Sequence, residues 1–381
     1  VSHEAWGSCS TRLDSTSANG ACTALSGLIS QHILTEHYTH SLSTVMIWKY
    51  PVLAISAALT LVSGEPRGSP EKSTMDPSLT FLVMGDWGGQ GGVPCTLLNQ
   101  CTTREEKATA TGMKMIGDQI NARFSVALGD NFYSTGVENV ESKRFKLTFE
   151  DVFKNDIPFH VIAGNHDHLG NVSAEIAYTA RSKRWSYPSL YYTFTEKAGN
   201  QTVQFVMTDT VVLSGNCHVP NSDVELHGNE LGGPENVDAA ESQMRWIEET
   251  LAASTADYLI VAGHYPVYSI CEHGPTSYLV KNIKPLLTRY NASAWINGHD
   301  HCAEYIDVGD GVQYHTIGSA HENNDNTQHK DDIPKGSLKF HTGKGDGGFA
   351  SVAVSSDEMV FTHYDGSGKL LYTAPGIKPR K

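Results

Sequence analysis

The feature that most constrains this chain is a set of five short motifs, each combining glycine with residue types that ligate metals. They are Gly85-Asp86-Trp87-Gly88, Gly129-Asp130-Asn131-Phe132-Tyr133, Gly164-Asn165-His166-Asp167, Gly263-His264-Tyr265-Pro266 and Gly298-His299-Asp300-His301. Most of them follow an apolar run directly. Loops at the carboxyl ends of strands in open α/β sheets converge on one crevice. The pattern therefore predicts strands that end at one shared site.

Apolar runs and helical spacing outline the elements around these motifs. Strands are predicted at 79–84, 124–128, 158–163, 203–208, 258–262 and 294–296, with helices at 104–121, 142–153, 238–253 and 276–289. Three further strands, at 312–317, 349–354 and 359–364, predict a second sheet. Alternation of strands and helices favours an α/β (α+β) fold. We expect a sandwich of two mixed β-sheets flanked by helices, with the segment 214–236 as a loop near the site.

The formal net charge of −14 over 381 residues excludes some partners. Nucleic-acid backbones are bound mainly through lysine and arginine, so we expect no nucleic acid as partner. An anionic substrate would instead be attracted by bound cations.

The N-terminal part predicts a secretory signal. The first methionine is Met46, and it is followed by Lys49, an apolar run from Pro51 to Val62 and small residues at 63–64. Such a run is too short to span a bilayer and has the pattern of a signal peptide over 46–64. We therefore expect upstream sequence at 1–45, a spacer at 65–78, no stable membrane anchor, and a secreted or endolysosomal protein.

A secretory destination makes the cysteines disulfide candidates. Cys95 and Cys101 bracket a short loop after the first motif and predict a local disulfide. Cys217 and Cys271 are a candidate second pair, which leaves Cys302 unpaired. The sequons at Asn171, Asn200 and Asn291 predict glycosylation in the same compartment.

The motifs together supply the ligands that a two-metal phosphoester hydrolase needs, namely Asp86, Asp130, Tyr133, Asn165, His264, His299 and His301. Asp130 is central in the motif order and is the better bridging carboxylate. A phenol ionises near pH 10 in water, so Tyr133 as a ligand favours Fe(III). The neutral amide and imidazole donors suit Fe(II), Zn(II) or Mn(II) as a divalent partner.

These motifs resemble those of the purple acid phosphatases, a branch of the metallophosphoesterases, and in particular their small tartrate-resistant animal type. The resemblance runs from about Leu79 to near the C-terminus. Other metallophosphoesterases carry Asp-x-His in the first motif, whereas Gly88 stands here and Tyr133 is present. The resemblance implies a single metallophosphoesterase catalytic domain over 79–381.

The resemblance also implies roles for individual residues. Fe(III) would be held by Asp86, Tyr133 and His301, and the divalent ion by Asn165, His264 and His299, with Asp130 shared. His166 resembles the histidine that contacts substrate and serves as candidate acid. Glu272 and His273 resemble residues that contact the leaving group.

We therefore expect a monomeric acid phosphatase that hydrolyses phosphomonoesters, releases inorganic phosphate, and uses a hydroxide bound to the metal ions as nucleophile. His166, or Glu272 through a neighbour, would protonate the leaving oxygen. A phosphodiesterase or nucleotide hydrolase on the same centre is an alternative. A redox-active iron-binding protein is an alternative of another class.

Overall fold

The computed structural model describes residues 77–89, 101–219 and 224–380, which belong to one compact unit. The predicted upstream sequence and signal peptide, most of the spacer, and Cys95 lie outside the described residues. Within the part of the chain that is described, no helix has the length and apolarity needed to cross a membrane.

Among the described residues, fourteen strands form two mixed sheets of seven strands each, which confirms the predicted pair of mixed sheets. Strands β1 to β14 span Leu79–Met84, Ser125–Ala127, Phe159–Val161, Trp185–Ser186, Tyr192–Ala198, Gln201–Met207, Tyr258–Ala262, Ala294–Asn297, Ala303–Ile306, Gln313–Ile317, Leu338–Thr342, Gly348–Val354, Met359–Asp365 and Leu370–Thr373. The first sheet has the order β14-β13-β12-β1-β2-β3-β4 and the second β11-β9-β10-β8-β7-β6-β5. In each sheet the strands that carry the motifs are parallel neighbours.

Six α-helices accompany the sheets among the described residues. Helices α1 to α6 span Arg104–Ile120, Val172–Tyr178, Thr210–Ser214, Val237–Ala253, Ser277–Asn282 and Lys284–Arg289. The predicted helix at 142–153 is a π-helix over Phe145–Glu150. The predicted helix at 276–289 is divided at Ile283, because Pro285 lies in the first turn of α6 and cannot continue the hydrogen bonding of α5.

The main core lies between the two sheets and contains aromatic residues of both. The Phe81 ring stacks on Phe124 at 4.9 Å between centroids and meets Phe205 edge-on at 5.2 Å. A second apolar cluster, with Ile247 and Leu286, covers the other face of the second sheet beneath α4 to α6. Burial on both faces explains why β7 is apolar and why β1 is apolar except at Thr80.

The predicted Cys217–Cys271 disulfide is wrong. Cys271 is bonded to Cys302, and Cys217 is a buried free thiol. The reason is local packing: Asp300 accepts hydrogen bonds from both the backbone N and the Nδ1 of His273, at 2.8 and 2.9 Å. These bonds hold the loop of Cys271 against the loop of Cys302. Cys101 is disulfide-bonded, and its predicted partner is outside the described residues.

Candidate metal centre

Five loops at the carboxyl ends of β1, β2, β3, β7 and β8 build the candidate site. Asp86, Asp130 and His299 begin these loops in the left-handed region, with φ of 55°, 49° and 70°. Non-glycine residues adopt this region at a cost of about 1–2 kcal/mol each, so local bonds must hold them there. Asp86 N donates to Gly129 O at 3.0 Å, and His299 N donates to Asp86 Oδ2 at 2.7 Å.

The glycines of the motifs leave room for the ligating carboxylates. A Cβ atom at Gly164 would lie 2.2 Å from Asp130 Oδ1, and one at Gly298 would lie 2.3 Å from Asp86 Oδ2. These contacts are far shorter than carbon and oxygen atoms tolerate. Glycine is therefore required at 164 and 298, because a side chain there would displace the carboxylate of Asp130 or of Asp86.

The first ligand group surrounds the Tyr133 hydroxyl. This oxygen lies 3.0 Å from each of three polar atoms, the carboxylate oxygens Asp86 Oδ1 and Asp130 Oδ2 and the ring nitrogen His301 Nε2. A phenol has one proton to donate, so it cannot satisfy two carboxylates at once. A cation held among these four side chains would satisfy all of them.

Burial has a strong electrostatic effect in this group. It raises the pKa of Asp86 to about 7, with His264 opposing the rise and Asp130 adding to it. Burial, together with the carboxylates of Asp130 and Asp86, raises the pKa of Tyr133 well above its usual value. The phenolate form of Tyr133 therefore requires a strongly charged cation beside it.

The second ligand group surrounds His264. Its Nδ1 lies 2.8 Å from Leu128 O, and this hydrogen bond directs Nε2 toward Asn165 Oδ1 at 2.8 Å and Asp130 Oδ2 at 3.3 Å. Burial would lower the pKa of His264, but Asp130 outweighs it and raises the pKa to about 9. Positive charge is thus favoured at this point, and a proton or a metal ion supplies it.

Asp130 connects the two groups, and His299 belongs to the second. Asp130 Oδ2 is the atom that contacts both Tyr133 and His264. One ligand atom each from Asp130, His264 and His299 lie within 4.8 Å of one another. The structure thus brings the seven predicted ligands together in two groups that share Asp130.

His166 lies at the solvent-facing edge of these ligands. Its ring packs on Tyr133 with 4.4 Å between centroids, and its Nε2 is 4.0 Å from Asp130 Oδ2. Its backbone N donates to Asp130 Oδ1 at 2.9 Å, and its Nδ1 contacts Ser134 O at 2.6 Å.

His273 and Glu272 differ in their surroundings. The His273 ring lies 4.1 Å from the His299 ring, and its nitrogens contact Asp300 and Glu225. Burial would lower the pKa of His273, but these two carboxylates raise it well above its usual value. The Glu272 carboxylate instead accepts a hydrogen bond from Asn324.

Residues 79–303 match the calcineurin-like phosphoesterase family. Tartrate-resistant acid phosphatase type 5 of Homo sapiens is 43% identical over 304 residues, which cover 78% of this chain and 90% of that protein. The Sus scrofa protein of the same name is 41% identical over 84% of this chain and 93% of its own. This chain belongs to the calcineurin-like phosphoesterases, in the tartrate-resistant acid phosphatase branch.

More distant relatives share the calcineurin-like phosphoesterase fold. Purple acid phosphatase 7 of Arabidopsis thaliana is 27% identical over 87% of this chain and 96% of its own. GAP50, the anchor in the inner membrane complex of Plasmodium, superposes with a TM-score of 0.64 at 22% identity, covering 80% of this chain and 89% of that one. Purple acid phosphatase PPD1 of yellow lupin superposes with 0.53 at 13% identity, covering 78% and 54%.

Three side chains beside this phosphoesterase centre were not predicted, His218, Glu225 and His321. The His321 ring stacks on Tyr133 with 4.1 Å between centroids, and its Nδ1 contacts Asp86 O at 2.9 Å. His218 Nε2 lies 3.2 Å from His166 Nε2. None of the three belongs to a glycine-containing motif. The only sequence feature that placed His218 and Glu225 near the site is their position in the predicted loop 214–236.

The three predicted glycosylation asparagines, Asn171, Asn200 and Asn291, are all exposed. Asn171 also caps α2, because its Oδ1 accepts from Ala174 N at 3.1 Å. A glycan on Asn171 would therefore begin at the end of this helix.

Proposed function

We propose that this chain is an acid phosphatase that hydrolyses phosphomonoesters and releases inorganic phosphate at a two-metal centre. The observation that carries the proposal is the position of Asp130 Oδ2, which faces the Tyr133 hydroxyl and His264 Nε2 at once. One carboxylate oxygen between two ligand groups suits a pair of ions rather than a single ion. The similarity to tartrate-resistant acid phosphatases supports the same reaction.

The chemistry of the donors suggests which ion each group would hold. Asp86, Tyr133 and His301 would bind Fe(III), because a buried phenol ionises only beside a strong Lewis acid. Asn165, His264 and His299 would bind the divalent ion, Fe(II), Zn(II) or Mn(II), and Asp130 would be shared. When bound, the ions would supply positive charge that stabilises the transferring phosphoryl group and would lower the pKa of water.

The chain itself would manage the proton of the leaving group. His166 Nδ1 is engaged with the carbonyl of Ser134, so its Nε2 is the nitrogen that exchanges a proton. The 15% exposure of the His166 side chain lets a leaving oxygen approach from solvent. We assign His166 as the acid that protonates this oxygen.

His273 would contact the leaving group at the edge of the ligands. Asp300 and Glu225 keep its imidazole positively charged in the fold, and its ring lies against His299. Glu272 is bound to Asn324 and would act only after this contact opens.

The domain order and the cellular location of the chain follow from its N-terminal sequence and its cysteines. A catalytic domain over 79–381 would follow a signal peptide over 46–64 and enter the secretory route. The Cys271–Cys302 disulfide and the exposed sequons support an oxidising compartment. The protein would act as a monomer without nucleic acid.

Steady-state turnover of an aryl phosphomonoester at acidic pH, measured together with the metal content, tests this function. We expect turnover that requires two ions per chain, disappears on chelation, and returns when iron and a divalent metal are added back. An aryl phosphodiester measured in parallel should be hydrolysed more slowly. Tight iron binding without turnover would contradict the proposal and favour an iron-binding role.

A further inference from the structure

A second set of metal-ligating side chains lies beside the catalytic centre, and we call it the outer cluster. It consists of His166, His218 and Glu225, whose ligand atoms all lie within 4.8 Å of one another. Neither His218 nor Glu225 is among the seven ligands of the two-metal centre. The outer cluster therefore calls for an explanation of its own.

The spacing within the outer cluster is close to that of zinc ligands. His166 Nε2 and His218 Nε2 are 3.2 Å apart, and His218 Nε2 is 3.9 Å from Glu225 Oε1. Ligand atoms about 2.0–2.1 Å from a tetrahedral zinc ion are about 3.3 Å from one another. The imidazole pair already has this separation, and the carboxylate oxygen, within 4.8 Å of both nitrogens, would need to move closer by at most about 1.5 Å.

The protonation pattern leaves a lone pair where a metal would bind. His166 Nδ1 contacts the carbonyl of Ser134 at 2.6 Å and must therefore carry the hydrogen. A carbonyl that fixes the far nitrogen in this way is the usual support of a metal-binding histidine. Burial, together with the nearby His166, lowers the pKa of His218, which favours its neutral, ligating form.

The backbone holds His218 and Glu225 opposite each other. They pair across an antiparallel bridge, with Val219 N donating to Val224 O at 3.1 Å and Leu226 N to Cys217 O at 2.8 Å. Side chains of directly opposite residues project from the same face of such a pair. The two ligands are therefore placed together by main-chain bonds rather than by chance contact.

Glu225 is also oriented from behind. Its Oε1 accepts from the Cys217 thiol at 3.2 Å and lies 3.3 Å from His273 Nε2. Burial raises the pKa of the Cys217 thiol, so this sulfur remains a donor and is not itself a ligand. The side chains of His218 and Glu225 are 22% and 34% exposed, which leaves a path from solvent.

We propose that His166, His218 and Glu225 form a third, exchangeable metal site that takes Zn²⁺ and inhibits the enzyme when it is filled. Two imidazoles and one carboxylate are a zinc ligand set with one coordination position left for water. Mg²⁺ prefers oxygen ligands and does not bind here. The inhibition rests on the proposed acid role of His166, whereas the binding of zinc does not.

Total metal content tests the binding. The enzyme carrying its two resident ions is dialysed against micromolar ZnCl₂ at neutral pH, and all metals are counted. We expect the total to rise from two to three per chain, while exchange within the resident centre leaves it at two. His218→Ala and Glu225→Gln should stay at two. His227→Ala and Glu230→Gln, in the same loop but outside the cluster, should reach three.

Turnover of an aryl phosphate in the presence of zinc tests the inhibition, with each variant compared with its own zinc-free rate. We expect His218→Ala to need at least about tenfold more zinc for half-inhibition, and Mg²⁺ to inhibit no variant. The proposal is overturned if the total stays at two in the unmodified enzyme, or if His218→Ala retains the third ion or the zinc sensitivity. An enzyme that binds the third ion but never turns over would overturn the proposed function and leave the site standing.

Discussion

The hydroxyl of Tyr133 lies 3.0 Å from Asp130 Oδ2, within one loop and three residues apart. The same carboxylate oxygen is 3.3 Å from His264 Nε2, a residue of the other sheet. Two sets of donors therefore meet at a single atom of the chain. This relationship makes Asp130 the residue whose loss should affect both metal ions.

Asp130→Asn should reduce turnover and metal content more than any other single ligand substitution. An amide cannot neutralise two cations, so we expect fewer than one tightly held ion per chain and a loss of turnover of at least about 10²-fold. Asp86→Asn should lose mainly one ion. Metal analysis and steady-state kinetics on both variants check this, with the exposed Asp118→Asn as control. Two retained ions with near-native turnover in Asp130→Asn would contradict a shared carboxylate.

Tyr133→Phe should remove the visible absorption of the oxidised protein. A phenolate bound to Fe(III) gives a charge-transfer band, and the substitution deletes the phenolate while keeping the ring. The absorption spectrum, normalised to iron content, is the measurement. Tyr187 is also buried, and its hydroxyl has no hydrogen-bond partner among the described residues, so Tyr187→Phe should keep the colour. A colourless, fully active native enzyme containing only zinc would refute the Fe(III) assignment.

His166→Ala should discriminate between leaving groups. Alkyl phosphates need a proton on the departing oxygen, whereas activated aryl phosphates do not. General acids contribute about 10²–10⁴-fold, so kcat should fall by that order for alkyl esters and much less for aryl esters. Equal losses on both substrates would show that His166 binds phosphate instead. The pH profiles of Glu272 and His273 variants would then identify the acid.

His168 should make stability depend on pH. Its Nε2 lies 2.7 Å from Asp209 Oδ2; burial would lower the pKa of His168, but Asp209 outweighs it and raises the pKa. The pair with protonated His168 therefore stabilises the fold fully below the pKa of about 6.5 that histidine has in the unfolded chain. This stabilisation is lost as the pH rises through the higher pKa of His168 in the fold. The decrease in Tm caused by His168→Gln should be larger at pH 5 than at pH 9, with a difference of about 2–4 °C.

His160 provides a control of the opposite sign. Burial lowers its pKa to about 4, so the neutral form stabilises the fold above about pH 6.5 and that contribution is lost as the pH falls. His160→Gln should therefore cost more at pH 9 than at pH 5. Thermal unfolding of both variants at both pH values is the measurement. Equal losses of Tm for His168→Gln at the two values would contradict the ion pair.

Cys302→Ser should destabilise the protein far more than Cys217→Ser. The Cys271–Cys302 bond joins residues 31 apart. Closing such a loop lowers the entropy of the unfolded chain and so raises its free energy by about 3–4 kcal/mol. Cys217 is outside any disulfide, and its thiol donates a hydrogen bond to Glu225. Thermal unfolding and thiol titration of the denatured variants measure both effects. Equal stability of the two variants would contradict the pairing.

The sequence predicted the strands of the site well, because they are buried on both faces. The predicted bounds of β1 and β7 agree with the structure to the residue. The strand β5 was missed because it lacks a continuous apolar run, although its exposed polar residues alternate with half-buried ones in the two-residue period of a strand. The strand β9 was missed because it contains Glu304, which is buried and accepts from Ile270 N at 3.0 Å. Such a partner is visible only in three dimensions.

The same limit applies to the site. Ligands next to a glycine at a strand end could be found by pattern, since the loop geometry requires that residue. His218 and Glu225 meet through a bridge between two chain segments, and Cys302 meets Cys271 because Asp300 binds the His273 loop. Tertiary contacts of this kind have no signature in residue spacing.

The order of the strands implies that the metal ions would help to hold the two sheets together. Asp86 and Tyr133 follow strands of the first sheet and His301 follows a strand of the second. Among the ligands of the other ion, Asn165 follows a strand of the first sheet and His264 follows a strand of the second. Each ion would thus be bound by side chains from both sheets and would link the two sheets at the edge where these loops meet. Removing the metals would therefore loosen the joint between the sheets as well as stop the reaction, and neither half alone could keep an ion.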